Sequence, residues 1–512
     1  MKEDYCIGID LGTTYSCLAY IDGEGNPVVE KNFEQEDTTP SVVLFNENGE
    51  IIVGSPAKDM AVMYPANRTI ASVKRQIGTD YKVNIDGDVY TPVTLSAAIL
   101  KKMINDFNEA HGCDVKKAVI TCPAYFGQNE RDSTKYAGKI AGLEDVTIIN
   151  EPTAAAISFG YGGDGNKKRV IIYDLGGGTF DVTILEIEGN SFTAVATDGE
   201  RLLGGKDWDK ALASIIKNKV SQSSGISIEE IEEDEDATVM LDLDAESIKK
   251  RLTTAESTRG TLMVGGIKTV YSVTRGEFES ATAPLLNRTL EIIDNVLASK
   301  AFTLDDIDDI ILVGGSSRMP QIKNGVSAKY PNAKVRLFDP DRSIAKGAAI
   351  FARSKDLNRS DKVDAQKLTV KNVLSKTFGI RVDFNGKEMI SNIIYRNETL
   401  PIENVKLYYP VEDRQPSVLV EIFENSTLRS DNVLRTELID GNSVGEFEMT
   451  LPDGVTINTP IKVIFRAADD GMITAEAECM GQVKEYNLKS GLSITESGVK
   501  ISQGLIEKVT KV

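Results

Sequence analysis

Histidine is almost absent from this chain: His111 is the only one in 512 residues. With no second histidine there is no histidine metal cluster. Tryptophan is represented by Trp208 alone, read as a helix-packing residue in "KDWDKALASII". The five cysteines (Cys6, Cys17, Cys113, Cys122, Cys479) are odd in number and scattered, with no CxxC pair. That pattern excludes a disulfide framework and predicts reduced thiols packed as small apolar groups. No apolar run approaches the ~18 residues that span a bilayer. The opening "MKEDYCIGIDLG" also lacks the apolar core of roughly 7–15 residues that a signal peptide needs, which predicts a cytoplasmic protein. Basic charge is in deficit: 58 Lys and Arg stand against 77 Asp and Glu, a net charge of −19. Such a balance argues against a nucleic-acid binder, which displays a basic face, and against docking on anionic membranes.

Apolar side chains are plentiful, at 41% hydrophobic with 26% charged, so sizeable cores can form. The length suggests about two to four domains. The stretch "VIIYDLGGGTFDVTIL" (170–185) reads as two buried strands joined by glycines, with Asp174 ending the first and Asp181 opening the second. Buried carboxylates are costly unless something charged or hydrogen-bonding compensates them. An earlier stretch, "CIGIDLGTTYSCLAYI" (6–21), repeats the grammar: strand, Asp10-Leu11-Gly12, Thr13, strand. The repetition implies two related lobes, each presenting a hairpin to a shared cleft.

Strands alternate with helices through the first two thirds of the chain. "KKAVITCPAY" is a strand stopped by Pro123, followed by the helix "GQNERDSTKYAGKIAGL"; "DIDDIILVGGSSRMPQIKNGV" repeats strand, Gly314-Gly315, helix. This alternation indicates α/β architecture. The acidic run 228–244 is expected to be a solvated surface segment. Near residue 357 the pattern changes to a polar linker. From Val370 the chain shows alternating strands and the turn signals Asn385-Gly386, Asp440-Gly441, Pro452-Asp453-Gly454 and Asp470-Gly471, which predict an all-β module. The final "GLIEKVTKV" reads as one short helix.

Glycine turns beside helix starts suit phosphate, because backbone N–H groups can close around its oxygens. Gly12, Thr13, Thr14 and Tyr15 would cup one end of a polyphosphate and Gly176, Gly177, Gly178 and Thr179 the other, with Gly204-Gly205 and Gly314-Gly315 at further helix starts. Asp10 and Asp174 would then face a hydrated Mg²⁺, an ion that uses one or two carboxylates plus substrate phosphates.

These motifs, with "VKRQIGTD", "INEPTAAAISFGYG" and "LLGGKDWD", resemble in residue and order the 70-kilodalton heat-shock (DnaK-type) chaperones over residues 1 to about 353. The resemblance implies an actin-like ATPase domain of two duplicated ribonuclease-H-like lobes, followed by a β-sandwich peptide-binding domain. The expected boundaries are 1–356 for the ATPase domain, 357–372 for the linker, 373–490 for the sandwich and 491–512 for a short tail without the family's helical lid. By the same resemblance Lys74 sits at the γ-phosphate, Glu151 contacts metal-bound or attacking water, and Thr179 places a hydroxyl. Asp181 sits near K⁺, while Pro123 and Arg131 relay nucleotide state. "AESTRGTL" is matched to a family helix at the adenosine, giving Glu256 and Arg259, with Gly260 offering no side chain to stack. Ser316, Arg318 and Asp341 form the opposite wall. Lys206 stands where many members carry Glu. Ile380, Tyr408, Val411, Val418 and Val420 are matched to a peptide pocket, with ordinary sandwich core as the competing reading. J-domain co-chaperones and exchange factors are the implied partners; Thr147 and Asn372 depart from the family residues that serve J-protein stimulation and interdomain coupling.

The reading is therefore an ATP-hydrolysing chaperone, cycling between ATP and ADP with Mg²⁺ and binding hydrophobic segments of unfolded proteins. Two other classes stay open at this point: a small-molecule kinase of the actin-like superfamily, and a nucleotide-gated scaffold or filament protein.

Overall fold

A computed structural model describes residues 5–160, 165–357, 367–425, 433–488 and 496–510. Most of the expected linker and the 491–495 start of the tail lie outside the described residues.

The repeat seen in the sequence has a counterpart in the sheets. In the first, the central strand Cys6–Asp10 pairs in parallel with Lys117–Cys122, which pairs with Asp145–Asn150; on its other side lie antiparallel Tyr15–Ile21 and then Pro27–Val29. In the second, Lys168–Leu175 is central. Asp309–Val313 and Lys334–Leu337 run parallel on one side, and Phe180–Glu188 and Ser191–Glu200 antiparallel on the other. The order is the same in both, and each central strand carries an aspartate at or next to its C-terminal end, Asp10 or Asp174.

Small residues bring the two sheets together. The helices Glu151–Gly160 and Ser343–Leu357 cross through Gly347, where a Cβ would overlap the Ala154 carbonyl, and the second helix crosses the first sheet at Gly8, against the Ala349 amide. Alanines 345, 348 and 349 fill this contact, all fully buried. Backbone can approach backbone so closely only where side chains are minimal.

The acidic run is not a simple surface segment. It forms the helices Ile228–Glu233 and Glu235–Leu252, the first capped by Ser227 with Glu230 and the second by Asp234, whose side chain accepts from the Ala237 amide at 3.0 Å. Ile231, Ala237 and Leu241 turn inward while most of the acids face water, as expected of an amphipathic helix.

Between residues 373 and 488 the described residues form strands, with one short helical turn at Leu438–Asp440. A five-stranded sheet (435–437, 387–394, 377–384, 417–425, 441–450) and a four-stranded sheet (402–408, 461–467, 473–479, 482–487) share one core around Phe378, Val420, Ile422, Phe465 and Ala475. Asn385-Gly386 forms the tight hairpin turn, with φ of 57° and 78°. Asp440-Gly441 does not: Gly441 has φ −120° and opens a strand after a short helical turn. Among the described residues, no helix is long and apolar enough to cross a membrane.

Candidate functional site

The two glycine hairpins meet face to face. A Cβ on Gly177 would overlap the Thr14 side chain, and one on Gly178 would overlap Thr13. Gly204 and Gly205 support the second hairpin from behind, the Gly205 amide donating to the Gly176 carbonyl at 3.0 Å and the Lys206 amide to Gly177 at 2.8 Å. Ser316 Oγ donates to the Gly176 carbonyl at 2.8 Å. Gly314 has φ 80°, and a side chain there would press on the Leu175 carbonyl and Asp174, so glycine is required on two counts. Between the hairpins lies a cavity of about 400 Å³, lined by residues of both sheets, including Asp10, Gly12 to Tyr15, Lys74, Glu151, Asp174, Gly176, Gly177, Thr179, Gly314 to Ser316, Arg318 and Asp341.

Its floor concentrates charge. Lys74, Glu151, Asp174 and Asp181 are buried, and Lys74 donates to the Glu151 carboxylate. Asp174 and Asp181 are cross-strand partners, directly opposite in the hairpin register. Asp10 accepts a hydrogen bond from Thr121 Oγ1 at 2.9 Å. Burial drives every acid of this group upward: Asp10 above the ordinary carboxylate value, Asp174 and Asp181 well above it, and Glu151 to about 7, with Lys74 opposing. Lys74 loses by burial but gains more from Glu151, Asp10 and Asp174, so its ammonium is held charged. One cation thus faces four carboxyls. Neither oxygen of Asp181 has a side-chain hydrogen-bond partner among the described residues, and the Tyr125 backbone gives it only slight relief. Such a floor calls for further positive charge. No group of three His, Cys, Asp or Glu side chains poised around one point occurs among the described residues.

The adenosine-side expectation needs correction. Ser257–Val264 is a strand, not a helix, and Glu256 and Arg259 are exposed and outside the cavity lining, Glu256 pairing with Arg275 at 2.6 Å. Gly260 faces Tyr271. The helix that does line the cavity is Glu235–Leu252, through Glu246, Lys249 and Lys250. Positions i, i+3 and i+4 share one helix face. Glu246 accepts from the Tyr15 hydroxyl at 3.0 Å and pairs with Lys58 and Lys250, each at 2.8 Å. Burial opposes its ionisation, yet those two cations hold it far below the usual range. Since Lys58 and Tyr15 belong to the first lobe, this network closes the cleft. Lys249 pairs with Asp209 at 2.7 Å and donates to the Gly205 carbonyl at 3.0 Å. Lys206 lies behind Asp209, 3.8 Å away, and does not line the cavity. On the opposite wall Arg318 Nε donates to Asp341 at 3.0 Å. Thr38, Thr253, Met319, Pro340 and Ile344 complete a lining that motif reading missed.

Arg131 is buried where the β-module meets the first lobe. It donates to Asn150 Oδ1 at 2.8 Å and to the Phe126 carbonyl at 3.1 Å, beside Pro123, and shares a crevice with Asn372 and Gly471. Asn372 accepts from Thr153 Oγ1 at 3.1 Å. The five peptide-pocket residues are not equivalent. Ile380 and Val420 are buried in the sandwich core, Tyr408 and Val418 pack at its margin, and Val411 is 83% exposed.

The family model described as Hsp70 protein matches residues 6–511. The chain is 37% identical to the chaperone protein DnaK of Thermosipho melanesiensis, over 99% of this chain and 83% of that protein. It is 38% identical to the DnaK proteins of Thermotoga petrophila and Thermotoga maritima, over 95% of this chain and 80% of each. A cleft between two like-ordered sheets and a match running nearly end to end point the same way: the chain belongs to the Hsp70 family of ATP-dependent molecular chaperones.

Proposed function

We propose that the two like-ordered sheets are actin-like, ribonuclease-H-like lobes, that ATP and ADP bind in the cavity between them, and that the sandwich holds hydrophobic peptide segments. The observation that carries the nucleotide site is the surplus of buried carboxylates around Lys74, beside two opposed glycine hairpins. Gly12 to Tyr15 and Gly176 to Thr179 would bind phosphate through backbone N–H groups, and Glu246, Lys249, Lys250, Ser316 and Arg318 the nucleoside. Asp10 and Asp174 would hold a hydrated Mg²⁺, which neutralises phosphate charge when bound. Asp181, whose oxygens lack a side-chain partner, fits a monovalent cation such as K⁺. Glu151, poised near 7, can accept a proton from the attacking water on its carboxylate, while the Lys74 ammonium stabilises charge on the transferring group. Thr179 would orient the γ-phosphate.

Arg131 and Asn372 share the crevice where the first lobe contacts the β-module, so a change in lobe angle, with Pro123 as its switch, would reach the module through them. An extended peptide would pair along backbone and insert one apolar side chain near Tyr408, Val411 and Val418, over a floor containing Ile380 and Val420. J-domain proteins and exchange factors are the expected partner classes. Calorimetry with ATP in magnesium buffer, followed by turnover without any acceptor, tests the ATPase. No heat of binding would end this reading, and turnover only with a small-molecule acceptor would make the chain a kinase. Peptide-array binding with and without ATP tests the sandwich, where ATP should lower capture.

A further inference from the structure

The chain leaves the β-module at Leu488, which is part of the sandwich core, and is next described in the helix Glu496–Leu505, packed on the first lobe's helix Gln128–Ile140. Beyond that helix the contact deepens. Ile506 is fully buried and Val509 nearly so, in the same core as Ile51, Val53, Ala137 and Leu143. Backbone completes the junction. The Ile51 amide donates to the Lys508 carbonyl at 3.0 Å and the Thr510 amide donates to the Ile51 carbonyl at 2.9 Å. Val509 thereby adds a parallel bridge to Ile51–Val53, an edge strand of its three-stranded sheet. Gln503 Nε2 donates to the Lys139 carbonyl at 3.3 Å.

At its other end the β-module is attached to the opposite lobe. Thr369–Lys371 pairs in parallel with Ser191, Phe192 and Thr193, an added edge strand whose Thr369 and Lys371 side chains are exposed. The two attachments differ in degree. Releasing the edge strand breaks its ladder hydrogen bonds and uncovers Val370 and the neighbouring Leu368, which lie against the core beneath. Withdrawing Ile506 and Val509 would open a hole in the first lobe's own packed core and break the bridge to Ile51 as well, which is costlier.

We infer that Glu496–Thr510 is a constituent of the first lobe's fold and a second tether, which keeps the β-module on that lobe when the linker strand lets go of the other. Seven residues separate Leu488 from Glu496, and such a span reaches at most ~29 Å. The β-module can therefore swing about the first lobe but cannot drift free on its linker alone.

The test uses the full chain with a site-specific protease sequence inserted after Ser490, the uncut insertion serving as control. Hydrogen exchange should find the Ile51 and Thr510 amides protected more than 100-fold without nucleotide, with ATP and with ADP. Small-angle scattering with ADP should show the cut chain more expanded than the uncut, while the severed segment still co-elutes with it. Ile506→Asp should expose both amides and expand the uncut chain. Unprotected amides, a segment lost on cutting, or equal expansion of cut and uncut chains would each overturn the inference. Protection in nucleotide-free protein reads the anchor by itself, so a failed anchor and a failed nucleotide site are distinguishable.

Discussion

Lys74 shows how one residue sets the chemistry of the floor. Its ammonium is buried, yet three carboxylates keep it charged. Removing it leaves Glu151 without its ion-pair partner, and Glu151, already poised near 7, then takes up a proton at neutral pH. The floor loses a cation and its base together. Binding contacts lie mostly elsewhere, on the hairpin amides and the Glu235–Leu252 helix. Lys74→Ala should therefore bind ATP within about tenfold of the parent but hydrolyse it about 100-fold more slowly, the scale of losing one aimed electrostatic group. Single-turnover measurement at saturating ATP checks this; an unchanged rate would remove Lys74 from the mechanism.

At the level of elements, the hairpins were legible because their constraint is local. An aspartate before glycine and threonine, between two apolar strands, occurs twice, and both copies lie at the C-terminal ends of central strands, Asp10 last and Asp174 next to last. The Glu235–Leu252 helix was not legible, because its acidic first half reads as solvated surface. The usable signal was the spacing of Glu246 with Lys249 and Lys250, which puts an acid and two cations on one face. The string at Glu256 and Arg259 carries the same residue types, but its alternating burial belongs to a strand. Docking of the tail left no local sign, since the apolar residues at 499, 506 and 509 do not say which surface receives them. The hairpin contact makes its own prediction. Gly178→Ala forces a Cβ into Thr13, and overpacking typically costs about 1–3 kcal/mol. Nucleotide affinity should fall roughly 5- to 150-fold by that cost, with little change in circular dichroism. Thr13→Ser removes the Cγ2 nearest the new Cβ and should recover part of the loss. Calorimetric affinities of the single and double variants decide it, and no recovery would locate the damage elsewhere.

At the scale of the whole molecule, polar contacts join the β-module to both lobes. Arg396 of the β-module pairs with Asp198 at 2.7 Å, Gln128 accepts from the Ile473 amide at 3.3 Å, and Lys300 donates to the Asn397 carbonyl at 3.1 Å. One acid works against this docking. Glu424, on the strand Ser417–Asn425, points at Gly127, where a Cβ would lie 2.7 Å from one of its oxygens and 3.2 Å from Glu130 of the first lobe. Burial pushes Glu424 up from 4.5 to about 7, Lys376 opposing and Glu130 adding, while Arg201 engages Glu130 at 3.3 Å. An acid whose docked pKa exceeds its free value takes up a proton on docking. Docking is then strongest below about pH 4.5, weakens as pH rises toward 7, and is constant above it. Glu424→Gln removes the titrating group and should raise docking at pH 8 to the level the parent reaches near its acidic limit, with a flat profile between. Exchange of the Ile473 amide reports the docked state directly. Parent protein should show faster exchange, relative to the intrinsic rate, at pH 8 than at pH 6, and Glu424→Gln should not. Parallel profiles for the two proteins would show that Glu424 loses its charge penalty to solvent and that the interface is governed by Arg396 and its neighbours instead.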